Sequence, residues 1–179
     1  MTNHVPPPVL VLMGVSGGGK TTIAEALAER LGWDYAEGDV MHPAANIAKM
    51  SAGIPLTDED RQPWLARIAD WISAQTAAGK PGIVTCSALK RSYRDVLRGE
   101  NVIFVYLKGS YELIASRLAE RTGHFMPPSL LRSQFATLEE PGEDENAITV
   151  DIGGSTAQTT QAVLDRLDKA VPGYSEVSS

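Results

Sequence analysis

Three observations in the 179-residue sequence predict an α/β fold, a parallel sheet with helices on both faces. Short apolar, β-branched runs alternate with stretches of helical spacing. The first run, Val9–Met13, leads through a glycine-rich loop straight into a helical pattern. Apolar residues make up 43% of the chain, enough for one domain of this length to bury a core.

The elements follow in order. Val9–Met13, bounded by Pro6-Pro7-Pro8 and Gly14, reads as a buried strand. A helix over Lys20–Leu31 puts Ile23, Leu27 and Leu31 on one stripe and stops at Gly32. Trp33–Glu37 is a short second strand. Trp64, Leu65, Ile68, Trp71 and Ile72 mark a helix, with Thr57 and Asp60 ahead of them as a capping box. Gly82–Cys86 is the third strand, and a helix over Leu89–Arg98 follows it. Val102–Leu107, almost wholly apolar, is a strand buried on both faces. Ser110 caps a helix running to about Arg121, Ala147–Asp151 is the last strand, and Ser155 caps a final helix carrying Val163, Leu164 and Leu167. Two polar segments, 42–60 and 122–144, break the alternation, as inserts around a ligand do at the carboxyl ends of strands. The expected organisation is a flexible segment 1–8, a single domain 9–170 and a flexible tail 171–179.

Composition bounds the partners. Sixteen Lys and Arg against 22 Asp and Glu leave a net charge of -6, so no nucleic acid is expected to bind. Val9–Met13 is far too short to cross a bilayer and lacks the flanks of a signal peptide, so no membrane partner is expected. The lone Cys86 can form neither an intrachain disulfide nor a cysteine-based zinc site, which fits a cytoplasmic location. It reads as a small buried apolar residue.

Gly14-Val15-Ser16-Gly17-Gly18-Gly19-Lys20-Thr21 matches G-x-x-x-x-G-K-[ST], between a strand and a helix as the motif requires. Gly17, Gly18 and Gly19 let backbone N–H groups turn inward around phosphates, and the helix start adds its positive end. Lys20 reaches the outer phosphates, the Thr21 hydroxyl is a Mg²⁺ ligand, and Thr22 lies beside the nucleotide. The motif therefore points to ATP and Mg²⁺. A guanine-reading Asn-Lys-x-Asp segment is absent, and no strand ends in an apolar run closed by Asp. A small-molecule kinase is favoured over a switch protein or motor.

A second constellation, Gly38-Asp39-Val40-Met41-His42-Pro43, follows the second strand. Asp39 at that strand end can take a proton from a substrate hydroxyl or hold a water on Mg²⁺. The alternative is an N-cap ahead of Pro43. His42 is a substrate contact or a histidine bonded to backbone. After the third strand, Ser87, Lys90, Arg91 and Arg94 gather hydroxyl and cations suited to an anionic substrate, unless they form an ordinary solvated basic face. Arg117 and Arg121 lie one turn apart and lead into Thr122-Gly123-His124-Phe125-Met126-Pro127-Pro128, a lid-like segment. The acidic run Glu139–Glu145 reads as a solvated turn, placing negative charge away from the cations; the alternative is a contact from Glu139 or Glu140 to the lid or substrate.

These segments, with Pro55-Leu56-Thr57-Asp58-Glu59-Asp60-Arg61-Gln62-Pro63-Trp64-Leu65 and Gln134-Phe135-Ala136-Thr137-Leu138-Glu139-Glu140-Pro141, resemble the P-loop gluconate kinases (gluconokinases) over Val9 to about Leu167. Gly18 and Thr21 stand where that family often has Ser, and Thr keeps the hydroxyl. The resemblance implies the P-loop NTPase fold of the adenylate-kinase-like small kinases: five parallel strands, a substrate-binding helical insert over about 42–80 and a lid over about 121–131. It implies ATP-dependent phosphorylation of D-gluconate at its 6-hydroxyl, with 6-phosphogluconate feeding the pentose phosphate and Entner–Doudoroff routes, and a homodimer. On this reading Lys20, Asp39 and Arg121 are catalytic, and Arg117 packs on the nucleotide. Thr21 and Asp39 serve Mg²⁺, and Asp39, His42, Arg61, Ser87, Lys90, Arg91, Arg94 and His124 meet the substrate. Other readings of the residues remain: a shikimate- or nucleoside-kinase-like enzyme, an ATP-binding regulator without turnover, or a structural α/β module.

Overall fold

The computed structural model describes residues 7–15, 19–120 and 128–171. Five parallel strands form one sheet: β1 (Val9–Met13), β2 (Asp34–Glu37), β3 (Gly82–Thr85), β4 (Val102–Lys108) and β5 (Ala147–Asp151), in the order β2-β3-β1-β4-β5. The helices are α1 (Lys20–Leu31), α2 (Ala44–Ser51), α3 (Asp58–Ala77), α4 (Arg91–Leu97), α5 (Tyr111–Glu120), α6 (Pro128–Thr137) and α7 (Thr156–Ala170). A 3₁₀ turn, Gly38–Met41, follows β2.

Side-chain alternation along the central strands sorts the core into two layers. Leu10 and Leu12 of β1, Ile83 of β3, and Ile103, Val105 and Leu107 of β4 pack with Ile23, Ala24 and Leu27 of α1, Ile114 of α5 and Val163, Leu164 and Leu167 of α7. Val9, Val11, Met13, Val84, Phe104 and Tyr106 face the opposite way, onto Trp64, Leu65, Ile68 and Ile72 of α3 and Tyr93 and Leu97 of α4. All five residues of β1 are fully buried because both faces are covered. Among the described residues, no helix is long and apolar enough to cross a membrane.

The expected capping box forms, and the expected cap Ser155 is part of a second one. Asp60 N–H donates to Thr57 Oγ1 at 3.1 Å and Thr57 N–H to Asp60 Oδ2 at 2.9 Å; Ser155 and Gln158 make the same reciprocal pair. The helix after β3 starts at Arg91 rather than Leu89, because Ala88 turns into the left-handed region (φ 44) and Lys90 is extended. The segments read as inserts contain two helices that the hydrophobic pattern does not announce, α2 and α6.

Strand order reverses at β1, so the loops after β1, β2 and β3 converge beside its carboxyl end. Gly14 N–H donates to the Ser87 carbonyl at 3.2 Å, and Gly38 N–H to Thr85 Oγ1 at 3.2 Å.

Candidate functional site

Two cavities meet at the start of α1. One, of about 370 Å³, is lined by Gly19, Thr22 and Ile23, by Arg117 and Glu120 of α5, and by the segment between β5 and α7. Arg117 is fixed there, its Nη2 donating to the carbonyls of Ile152 and Gly154. The other, of about 350 Å³, is lined by Lys20, by Asp39 and His42 after β2, by Arg61 and Trp64 of α3, and by Ser87 and Leu89 after β3. Its remaining walls come from the 50–56 segment and from Leu130, Ser133, Gln134 and Thr137 of α6. Consecutive residues, Gly19 and Lys20, thus face different cavities.

Lys20 opens α1 after Gly19, whose φ of 82° favours glycine. Its Nζ donates to the carbonyls of Gly14 (2.9 Å) and Val15 (3.1 Å), folding the ammonium back over the loop. The Thr21 hydroxyl donates to Glu37 Oε1. The carboxylate at Thr21 is therefore that of Glu37, not of Asp39. Sequence reasoning passed over Glu37, although it shares the strand end with Asp39 at a spacing of two.

Asp39 is set by its neighbour. Gly38 N–H is held by Thr85, its carbonyl accepts from Trp64 Nε1 at 2.7 Å, and an added Cβ would lie 2.0 Å from the Thr85 carbonyl oxygen. No other residue fits, and this clamp delivers Asp39 to the cavity. Asp39 does not cap α2, whose N-cap position is Pro43.

His42 is buried and stacks on Trp64, with ring centroids 4.2 Å apart and planes within 13°. Asn46 Nδ2 donates to the Asp60 carbonyl at 2.8 Å and lies 3.2 Å from His42 Nδ1. An amide nitrogen beside Nδ1 makes Nδ1 the acceptor, so the neutral ring carries its proton on Nε2. Burial pulls the His42 pKa below the ordinary value, which favours that neutral form.

Arg61 Nη1 donates to the Leu56 carbonyl (2.8 Å) and to Tyr93 Oη (3.0 Å), with the guanidinium over the Tyr93 ring. Tyr93 in turn donates to Asp58, which also accepts from Lys90 Nζ at 3.0 Å. Asp58 is held below the usual carboxylate range by the Tyr93 hydroxyl and by Lys90.

The structure brings together Lys20, Asp39, His42, Arg61 and Ser87 in one cavity, and Gly19, Thr22 and Arg117 in the other. Lys90, Arg91 and Arg94, expected to meet the substrate, do not line either of these cavities and are engaged with carboxylates instead. Lys90 pairs with Asp58, Arg91 pairs with Asp144, and Arg94 is 1% exposed, forked onto Glu145 at 2.6 and 3.1 Å. The acidic run is not a detached solvated turn, because Asp144 and Glu145 are counter-ions to these arginines. Gly17, Gly18, Arg121 and His124 lie outside the described residues, as do most of the expected lid and the tail beyond residue 171.

A phosphate-cradle lysine at the junction of a nucleotide-sized cleft and a polar acceptor cavity defines a class of protein, the P-loop kinases of small molecules. Comparison narrows the class. A family profile described as an AAA domain matches residues 9–141. Gluconokinase of Gluconobacter oxydans (strain 621H) is 56% identical over 157 residues, covering 84% of this chain and 88% of the relative. Thermosensitive gluconokinase of Escherichia coli (strain K12) is 48% identical over 161 residues, covering 86% of each chain. The crystal structure of a gluconokinase from Sinorhizobium meliloti 1021 superposes with a TM-score of 0.82 at 47% identity, covering 93% of this chain and 96% of that one. The chain belongs to the gluconokinase family.

Proposed function

We propose that this protein transfers the γ-phosphoryl group of ATP to the 6-hydroxyl of D-gluconate, giving 6-phosphogluconate and ADP. One observation carries the reading: a single cavity holds a guanidinium (Arg61), a carboxylate (Asp39) and the cradle lysine (Lys20). A sugar acid offers a carboxylate at one end and a primary hydroxyl at the other. Arg61 spends one nitrogen on protein acceptors, and its remaining N–H groups suit the substrate carboxylate. Asp39 orients the 6-hydroxyl and accepts its proton. The Nε2–H of His42 and the hydroxyl of Ser87 serve the intermediate hydroxyls.

Lys20 and the N–H groups of Gly17, Gly18 and Gly19 hold the β- and γ-phosphates, with Thr22 and Arg117 along the nucleotide. Arg121 is assigned the charge on the transferring group from its sequence position alone. The adjacent Thr21 hydroxyl and Glu37 carboxylate are hard oxygen donors, a set that fits Mg²⁺. Thr21 would hold the ion directly, with Glu37 and Asp39 acting through water. Bound with the nucleotide, Mg²⁺ neutralises charge on the phosphates. A cytoplasmic setting and a homodimer complete the proposal, and light scattering tests the latter.

The test is ADP formation with gluconate, shikimate and nucleosides as acceptors. Gluconate alone should support turnover. Asp39→Asn should lose most of kcat, and near-wild-type turnover would remove both roles given to Asp39. Arg61→Lys should raise KM for gluconate about tenfold while leaving KM for ATP unchanged; an equal rise for ATP would mean that Arg61 does not read the carboxylate.

A further inference from the structure

Ala88 is the only residue other than glycine with positive φ among the described residues, and it is fully buried. A left-handed alanine persists only where its surroundings over-determine it, and such positions gather at functional sites. Its two neighbours, Ser87 and Leu89, line the acceptor cavity, and the Ser87 carbonyl accepts from Gly14 N–H at the root of the phosphate loop.

The restraint on this turn comes from Arg94, at the middle of the seven-residue α4. Its Nη1 donates to the carbonyls of Ala88 (2.8 Å) and Leu89 (3.3 Å), while Nε and Nη2 fork onto Glu145. Glu145 is itself held by Gly142 N–H at 2.8 Å. A parallel strap lies alongside: Glu139 N–H donates to the Leu89 carbonyl at 2.7 Å, and the Glu139 carboxylate accepts from Arg91 N–H at 3.0 Å. Glu139 and Glu145 belong to the connection that follows α6, and α6 supplies the facing wall of the same cavity.

We propose that the Arg94–Glu145 pair is a positioning clasp: it locks the Ser87–Leu89 turn in the left-handed shape of Ala88 and joins that turn to the α6 wall, fixing the width of the acceptor cavity. Arg94 touches neither substrate in this role. A buried ion pair is a poor source of stability compared with apolar packing, so its value here is the unique geometry it enforces. Lysine cannot replace the arginine, because one ammonium cannot reproduce the fork to Glu145 together with bonds to two carbonyls.

The kinetic part of the test rests on gluconate being the acceptor; the hydrogen-exchange part does not. In Arg94→Lys, amide exchange at residues 88–90 and at Glu139 should rise about tenfold or more, while β1 and β4 stay protected. Gluconate kcat/KM should fall about tenfold with KM for ATP within about twofold. Ala88→Gly in the Arg94→Lys background should recover about threefold or more of that loss, because glycine takes the left-handed turn without strain. Should Arg94→Lys fail to fold, Glu145→Gln carries the same comparisons. Unchanged exchange overturns the clasp whatever the acceptor is. Raised exchange with gluconate kcat/KM intact, a parallel rise in KM for ATP, or no recovery on adding Ala88→Gly overturns its positioning role. A wild-type enzyme inactive on gluconate would overturn the substrate assignment instead, and the exchange result would still judge the clasp.

Discussion

At the scale of single residues, the site depends on a few positions with no tolerance. Gly38 is the sharpest case, since a methyl group there would meet backbone rather than a movable side chain. Gly38→Ala should shift the turn bearing Asp39 and lower kcat/KM on the order of a hundredfold. Steady-state kinetics on a variant shown to be folded by circular dichroism checks this. Lys20→Ala removes a charge that matters most in the transition state, so kcat should fall roughly a hundredfold or more while KM for gluconate changes little. Glu145 gives a pH signature. Hydrogen bonding from Arg94 holds its carboxyl below the ordinary range, so the unfolded chain takes up that proton at higher pH than the folded one. Its stabilisation is complete above the ordinary carboxyl value and is lost as pH falls through the folded value. Glu145→Gln should therefore cost about 3–5 kcal/mol at pH 7, with the gap to wild type narrowing toward pH 3 in urea titrations.

At the scale of elements, helices and strands with strong local signals were legible. β1, α1 and β5 fall where pattern and punctuation put them, and the Thr57–Asp60 box and the Ser155 cap form. Thr57→Ala should cost about 1 kcal/mol of stability in urea unfolding. It should also raise KM for gluconate, since Arg61 sits in the helix that this cap begins. The two missed helices lack such signals for a physical reason. α2 is eight residues long and leaves Ile47 and Met50 exposed; it is pinned from outside, by Asn46 to the Asp60 carbonyl and by the Lys49–Asp60 ion pair at 2.8 Å. Lys49 and the cap together pull the Asp60 pKa down to about 2. α6 opens on Pro128, which suits a first helical position, but among its described side chains only Leu131 is buried. Tertiary contacts made both, and a local reading sees none of them.

At the scale of the whole molecule, the charge pattern is where sequence and structure part most clearly. Cations adjacent in sequence to a strand end looked like one anion-binding cluster, with the acidic run elsewhere. Folding instead brings that run back onto them, while Arg61, already expected at the site, is the arginine among the described residues that lines the cavity. Sequence shows which residues are charged; only the fold shows which charges are already answered. Of the residues expected at the site, Lys20, Asp39, His42 and Ser87 line the cavity because each lies at or just after a strand end on the same edge of the sheet, and Arg61, named through the family resemblance, lines it from α3. Glu37 and the Arg94–Glu145 clasp were not legible in the sequence, since both are defined by partners distant in sequence. On the proposed function, the molecule as a whole moves one phosphoryl group from ATP to one hydroxyl of one sugar acid. The direct test is phosphorus–proton correlation NMR of the product formed from ATP, Mg²⁺ and D-gluconate. A single phosphate ester coupled to the C6 methylene protons is the expected result. No ester, or a phosphate coupled to any other position, would contradict the account.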